Sequence, residues 1–337
     1  MKKNIILFFF SVIVCLFVLE LFCRWSGKYQ GYSEKTGVAG FQSPFVAYDS
    51  SWYYNTRPNN HIFIQQHEFR LDWITNNEGF RDTTFTIHKD KIRIMAIGDS
   101  FTQGVGADND SSLPRQLGYI LRDNFHLPSE IWNCGLAGSD LVYEFKLFHD
   151  KLLKYDPDMI LLVINSSDFN DVITKGGFER FLPDSTVQYR PAPWFMPLYI
   201  HSYLARRVVH DIFKYNWQYL SPAQVGPAEQ RALTTLTGAI DSFTQLCAQR
   251  NIKLLVAINP TRGEFDNTVK NESLPLLSYC RRRNLPVVDV KTELYKMGWD
   301  SVHVSSLYWP EDGHFRNLGY HYFAKTVWPQ MAAMLDK

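Results

Sequence analysis

Four short polar runs interrupt the apolar stretches of this 337-residue chain, and each carries residue types suited to nucleophilic chemistry. Gly98, Asp99 and Ser100 stand in "IMAIGDSFTQG". Asn133, Gly135 and Gly138 lie in "NCGLAGSD", and Asn165, Ser166, Ser167 and Asp168 in "INSSDFND". Glu311, Asp312 and His314 fall in "YWPEDGHFRNLGY". A serine hydroxyl is a weak nucleophile until a base takes its proton. Imidazole suits that task because its ordinary pKa lies near neutrality. A carboxylate on the other ring nitrogen fixes the tautomer and stabilises the imidazolium. An oxyanion then needs donors about 3 Å away, and glycine lets backbone approach that closely. Gly, Asp and Ser are also ordinary turn residues, so distant parts of the chain decide whether Ser100 is reactive.

Such residues act together only if a fold brings them to one edge. "IRIMAIG", "EIWNCG", "MILLVIN", "IKLLVAI" and "PVVDV" read as buried strands. Between them lie helical stretches near 113–125, in "SDLVYEFKLFHDKLLKY", over about 229–249 and in "LPLLSYCRRR". Continuous apolar strands alternating with amphipathic helices imply a parallel sheet covered on both faces. The expected fold class is α/β: a three-layer α/β/α sandwich with a flavodoxin-like parallel five-stranded sheet, preceded by a membrane anchor and an extension. The polar runs follow strand C-termini, the edge where open α/β sheets bind ligands.

The expected organisation is an anchor or signal segment over 1–27, an extension over 28–90 and a main domain over 91–337. An insertion over about 170–226, rich in aromatics and prolines, interrupts the main domain as a lid, a substrate wall or a packing subdomain. In the extension, "HIFIQQHEFRLDWITNNEGFRD" reads as one or two hairpins, with Gly79 and Arg81 as a turn beside a surface ion pair. Lys2 and Lys3 precede "IILFFFSVIVCLFVLELFC", which is long enough to cross a hydrocarbon core. No small-residue cleavage site follows it, which favours a retained anchor over a cleaved signal. The two lysines favour a cytoplasmic N-terminus, so the rest of the chain is expected outside the cytoplasm.

Composition excludes other classes. Net charge is +1 with no basic block, which argues against a nucleic-acid partner. The five cysteines are scattered, so neither a disulfide framework nor a zinc site is expected, and no metal or cofactor is. Gly104 and Gly106 do not extend to a dinucleotide fingerprint, because Asn109 occupies its last position. Thr102 stands where a Gly-x-Ser-x-Gly elbow has its second glycine.

Gly98-Asp99-Ser100, Gly138 and the late acid-x-His element resemble the sequence blocks of the SGNH/GDSL hydrolase superfamily, from about Arg93 to the C-terminus. "NNEGFRD" ahead of "GDSFTQG" is similar to membrane-associated bacterial members. The resemblance implies Ser100 as nucleophile, His314 as base, and the Ser100 and Gly138 N–H groups as oxyanion donors. Two positions depart from the pattern. The family's donor Asn is replaced by Ser167, with Asp168 at the family's Asp; Ser167, or else Asn165 or Asn170, then takes the third donor position. An Asp-x-x-His reading makes Glu311 the acid, whereas the "DGH" run with Asn317 and Gly319 resembles transferase-like members and favours Asp312. The implied activity is a serine esterase for short acyl esters, acetyl foremost, on envelope or extracellular glycans. An O-acyltransferase uses the same residues, and the missing Asn leaves a non-catalytic glycan-binding module as the third reading. The implied partners are an acylated small molecule or glycan and the cell membrane.

Overall fold

The structure is a computed structural model that describes residues 2–29, 46–48, 54–125, 128–184 and 186–336. Its elements run in chain order as α1 (Lys2–Trp25), β1 (Val46–Tyr48), β2 (Tyr54–Thr56), β3 (His61–Gln65), β4 (Arg70–Ile74) and β5 (Ile92–Gly98). After these come α2 (Ser100–Gln103), α3 (Leu113–Asn124), β6 (Ser129–Gly135), α4 (Leu141–Leu147), β7 (Met159–Ile164) and α5 (Ser167–Lys175). The chain continues through α6 (Met196–His201), α7 (Tyr203–Arg207), α8 (Pro222–Gln249), β8 (Lys253–Ile258), α9 (Arg262–Phe265) and α10 (Leu274–Arg282). It closes with β9 (Val287–Asp289), α11 (Val290–Lys296) and α12 (Asn317–Leu335).

Two compact units emerge. One comprises 1–44 with 189–230, the other 45–188 with 231–337. The second contains a parallel five-stranded sheet in the order β6-β5-β7-β8-β9, the expected flavodoxin-like arrangement. Successive side chains of β5 point to opposite faces. Met95 and Ile97 enter a core with α4, α8 and α10, while Ile94 and Ala96 enter another with α3, α11 and α12. Burial on both faces explains why these strands lack polar alternation. The extension contributes the antiparallel hairpin β3–β4, with Ile62, Phe69, Leu71 and Trp73 forming a small core of their own.

The other unit has its own aromatic core of Met196, Tyr199, Val209 and Tyr219. Inside it, the Tyr199 hydroxyl lies 2.7 Å from His210 Nε2. Its helix α1 is long and apolar enough to cross a bilayer, a description that a signal sequence also meets.

Candidate active site

The site begins with a close approach of backbone. Strands β5 and β6 end in register at Gly98 and Gly135, and α2 starts two residues beyond Gly98 and lies across both ends. A Cβ on Gly98 would stand 2.2 Å from Thr102 Oγ1, and one on Gly135 2.2 Å from the Gln103 nitrogen. Any larger residue would push α2 away. Asp99 caps α2, accepting from the Phe101 N–H at 2.9 Å. Ser100 is therefore the first helical residue, placed by the end of β5, which is buried from Arg93 to Gly98.

His314 reaches Ser100 from the far end of the chain. The 309–314 turn closes on itself, since the Trp309 N–H donates to the His314 carbonyl at 2.8 Å. It is laced to the loop after α2: Trp309 Nε1 donates to Gly106 O and the Tyr320 hydroxyl to Val105 O, both at 2.8 Å. The imidazole packs on the Phe101 ring. His314 Nε2 then lies 2.8 Å from Ser100 Oγ, and His314 Nδ1 lies 2.5 Å from Asp312 Oδ1. A carboxylate has no proton to give, so Nδ1 carries the hydrogen and Nε2 is left to accept from the serine. Partial burial pushes the Asp312 carboxyl up, but the side-chain hydrogen bond, the charge and the backbone N–H of His314 together outweigh this and hold it below the ordinary value.

Glu311 points elsewhere. Its carboxylate meets His67 Nδ1 at 3.0 Å, with both side chains largely exposed. A residue that the sequence did not single out fixes the difference. Glu68, at the tip of the β3–β4 hairpin, accepts from the Glu311 and Asp312 N–H groups at 2.9 and 2.7 Å. Beside it lies a cleft of about 680 Å³ lined by Gln65, His67, Glu68, Arg70, Arg316 and Asn317 among others. Ser100 and His314 are not in its lining.

Gly138 occupies left-handed backbone at φ +78°, with open space where a Cβ would be. Its loop is held at two points: Gln103 Oε1 accepts from the Ala137 N–H at 2.9 Å, and Lys175 Nζ donates to Gly138 O at 2.6 Å. Lys175 also pairs with Asp171 at 3.1 Å. Burial pushes the Asp171 carboxyl up to about 6, against the pull of Lys175.

The candidates for the third donor position are engaged with Asp99 or sit in α5. Ser167 Oγ donates to Asp99 Oδ2 at 3.1 Å, and Asn165 Nδ2 to the same oxygen at 2.9 Å. Asn165 Oδ1 accepts the Ser167 N–H at 2.7 Å. Asn170 lies in the body of α5, partly buried. Asp168 accepts from the Leu141 and Asn165 N–H groups at 2.8 and 3.0 Å.

Arg81 departs from the surface ion pair expected of it. It is buried, and its guanidinium donates to Gly104 O, to Ala107 O at 2.6 Å and to Asn109 Oδ1 at 2.9 Å. Burial lowers its pKa to about 10. The following Asp82 is buried as well and pairs with Arg115 at 2.8 Å. In the sequence, a charged pair next to "GF" reads as surface. Its carbonyl partners lie in the loop after α2, and sequence spacing does not reveal them.

A family model described as GDSL-like lipase/acylhydrolase matches residues 94–327. The chain belongs to this family, a class of ester-bond hydrolases. Among solved structures it is similar to a family 3 carbohydrate esterase of Clostridium thermocellum, at 16% identity over 73% of this chain and 97% of that one, with TM-score 0.45. It is also similar to a lipolytic protein of the G-D-S-L family from Desulfitobacterium hafniense, at 18% identity over 71% and 99%, with TM-score 0.44. A curated, uncharacterised protein of Mycoplasma pneumoniae is 30% identical over 104 residues, which is 30% of this chain and 12% of that protein.

Proposed function

We propose that this chain is a serine esterase acting on short acyl esters, acetyl foremost, carried by an extracytoplasmic glycan. The observation that carries the proposal is the hydrogen-bonded series Ser100–His314–Asp312. Ser100 Oγ attacks the acyl carbonyl as His314 Nε2 takes its proton. Asp312 keeps Nδ1 protonated and stabilises the imidazolium. The Ser100 and Gly138 N–H groups receive the developing oxyanion. Collapse of the tetrahedral intermediate expels the alcohol, which takes its proton from His314. Water, activated by the same imidazole, then frees the acid and restores Ser100.

Ser167 joins as a third donor only by giving up its bond to Asp99, a cost that predicts modest turnover. Lys2 and Lys3 at the start of α1 favour a cytoplasmic N-terminus, and with α1 retained as a single-pass anchor the esterase unit lies outside the cytoplasm.

The test is hydrolysis of p-nitrophenyl acetate together with fluorophosphonate labelling. Native protein should turn over the ester and take the label at Ser100, and Ser100→Ala should do neither while melting at the native temperature. Undiminished turnover in Ser100→Ala would remove the proposal.

A further inference from the structure

The segment 189–215 carries large apolar side chains that its own core does not use. Trp194 is 90% exposed, Leu198 65% and Phe213 60%. Isolated exposed apolar residues are ordinary, but these three line one groove of about 840 Å³. The opposite wall of that groove is α1, through Ile13, Leu16 and Phe17.

Position along α1 sets the depth of the groove. At 1.5 Å per residue, Phe17 and Ile13 lie roughly 12 and 18 Å from the Trp25 end. If α1 spans a bilayer, both residues lie within its hydrocarbon, and so does the groove that they wall.

The attachment between the two walls is specific. Glu20, the one carboxylate of the apolar run, accepts from Ser202 Oγ and the Leu204 N–H at 2.8 Å and from the Tyr203 N–H at 3.0 Å. A carboxylate at this depth is costly unless partnered, and these bonds supply the partners. Beyond Glu20, Arg207 donates to Ser26 Oγ at 2.8 Å, Lys28 pairs with Asp211 at 2.7 Å, and Arg206 Nη1 donates to Tyr29 O at 3.1 Å. Residues 20–29 and 189–215 together hold six Lys or Arg (24, 28, 190, 206, 207 and 214) against Glu20 and Asp211. Aromatic rings and long cationic side chains placed where a helix leaves the bilayer match the polar headgroup layer of either leaflet.

We infer that 189–215 is a membrane-seated module, fastened to α1 by Glu20, whose Trp194–Leu198–Phe213 groove is filled by acyl chains of membrane lipid. The inference rests on the reading of α1 as a retained anchor. In place of a lid, a substrate wall or a packing subdomain, it makes the segment a second, lipid-facing hold on the membrane.

The experiment uses the full chain with Cys15→Ser, whose other cysteines are buried, reconstituted into phosphatidylcholine–phosphatidylglycerol vesicles. Leu198→Cys, Phe213→Cys and, as an aqueous control, Val302→Cys are each labelled with a polarity-sensitive fluorophore. Spin-labelled lipids should quench the labels at 198 and 213 severalfold more than the label at 302. Adding Glu20→Ala should reduce that quenching. Equal quenching at all three sites would overturn the inference, as would labels at 198 and 213 that are shielded from water yet not quenched, the signature of a protein partner. The anchor reading is tested separately by the intact mass of protein extracted from cell membranes. Loss of α1 from that mass would overturn the anchor, whatever the quenching shows.

Discussion

Two sets of carboxylates serve the Ser100 region, and they differ in every physical respect. Asp312 sits in a surface loop, its side chain 29% exposed, with an imidazole as partner. Asp99, Asp140, Glu144 and Asp168 are buried and take mostly backbone or hydroxyl partners. Arg180 pairs with Asp140 at 2.8 Å, both side chains being buried. Burial, and then the charge of a neighbouring carboxylate, pushes Asp168 and Glu144 well above their ordinary values. The same functional group thus does two jobs. At the rim it must stay charged to hold an imidazolium, and beneath the sheet edge it organises turns.

The largest effect should come from the rim. Asp312→Asn should lower kcat for p-nitrophenyl acetate by up to roughly 10⁴-fold with little change in melting temperature. Glu311→Gln, which loses only an exposed contact with His67, should leave kcat within about twofold. A larger loss from Glu311→Gln would reverse the assignment of the acid.

Asp99→Ala should separate the two sets by its kind of failure. It orphans the Phe101 N–H, the Asn165 amide and the Ser167 hydroxyl, so a loss of about 3 kcal/mol or more in denaturant unfolding is expected. A fully stable Asp99→Ala would show that Asp99 does not carry this turn.

Ser167→Ala is expected to cost about 1 kcal/mol, the value of one hydrogen bond. If kcat instead falls about 10²-fold at unchanged stability, Ser167 leaves Asp99 for the oxyanion during the reaction. Kinetics and unfolding measured on the same preparation decide between these roles.

Glu144→Gln should have the smallest effect at low pH, and that effect should grow as pH rises. A carboxyl raised on folding contributes fully below its unfolded pKa, about 4.3, and loses that contribution as pH rises. Glutamine has no proton to lose. The melting temperature of Glu144→Gln relative to the native protein should therefore start near zero at about pH 4 and climb towards about pH 8. A flat difference would mean that Glu144 is not held protonated.

The rim and the buried set were unequally legible in the sequence. Strands β5, β7 and β8 announce themselves because burial on both faces leaves largely apolar runs, and the ends of β5 and β6 point to Ser100 and Gly138. His314 stood out by type and by its place before the last helix. The choice between Asp312 and Glu311 was open, because neighbouring residues have similar reach until the backbone direction is known. Glu68 sets that direction through two N–H groups some 240 positions away, with no local signature. Ser167 matched the donor position by register, with Asn165 and Asn170 close by, yet register does not say which way a side chain turns at the start of a helix. Arg81 was missed for a related reason: a buried guanidinium and a surface one look alike until their acceptors are found.

The β3–β4 hairpin carries a practical consequence. An excised protein beginning near Lys91 would keep every strand of the parallel sheet together with Ser100, Asp312 and His314. It would lose both Glu68 and Arg81, and with them the bonds that hold the 311–312 backbone and the loop after α2. Such a fragment would resemble the native fold by circular dichroism while its Asp312 loop wandered. The latest safe place to begin lies ahead of β3, so the hairpin is as much a part of the reactive surface as the sheet beneath it.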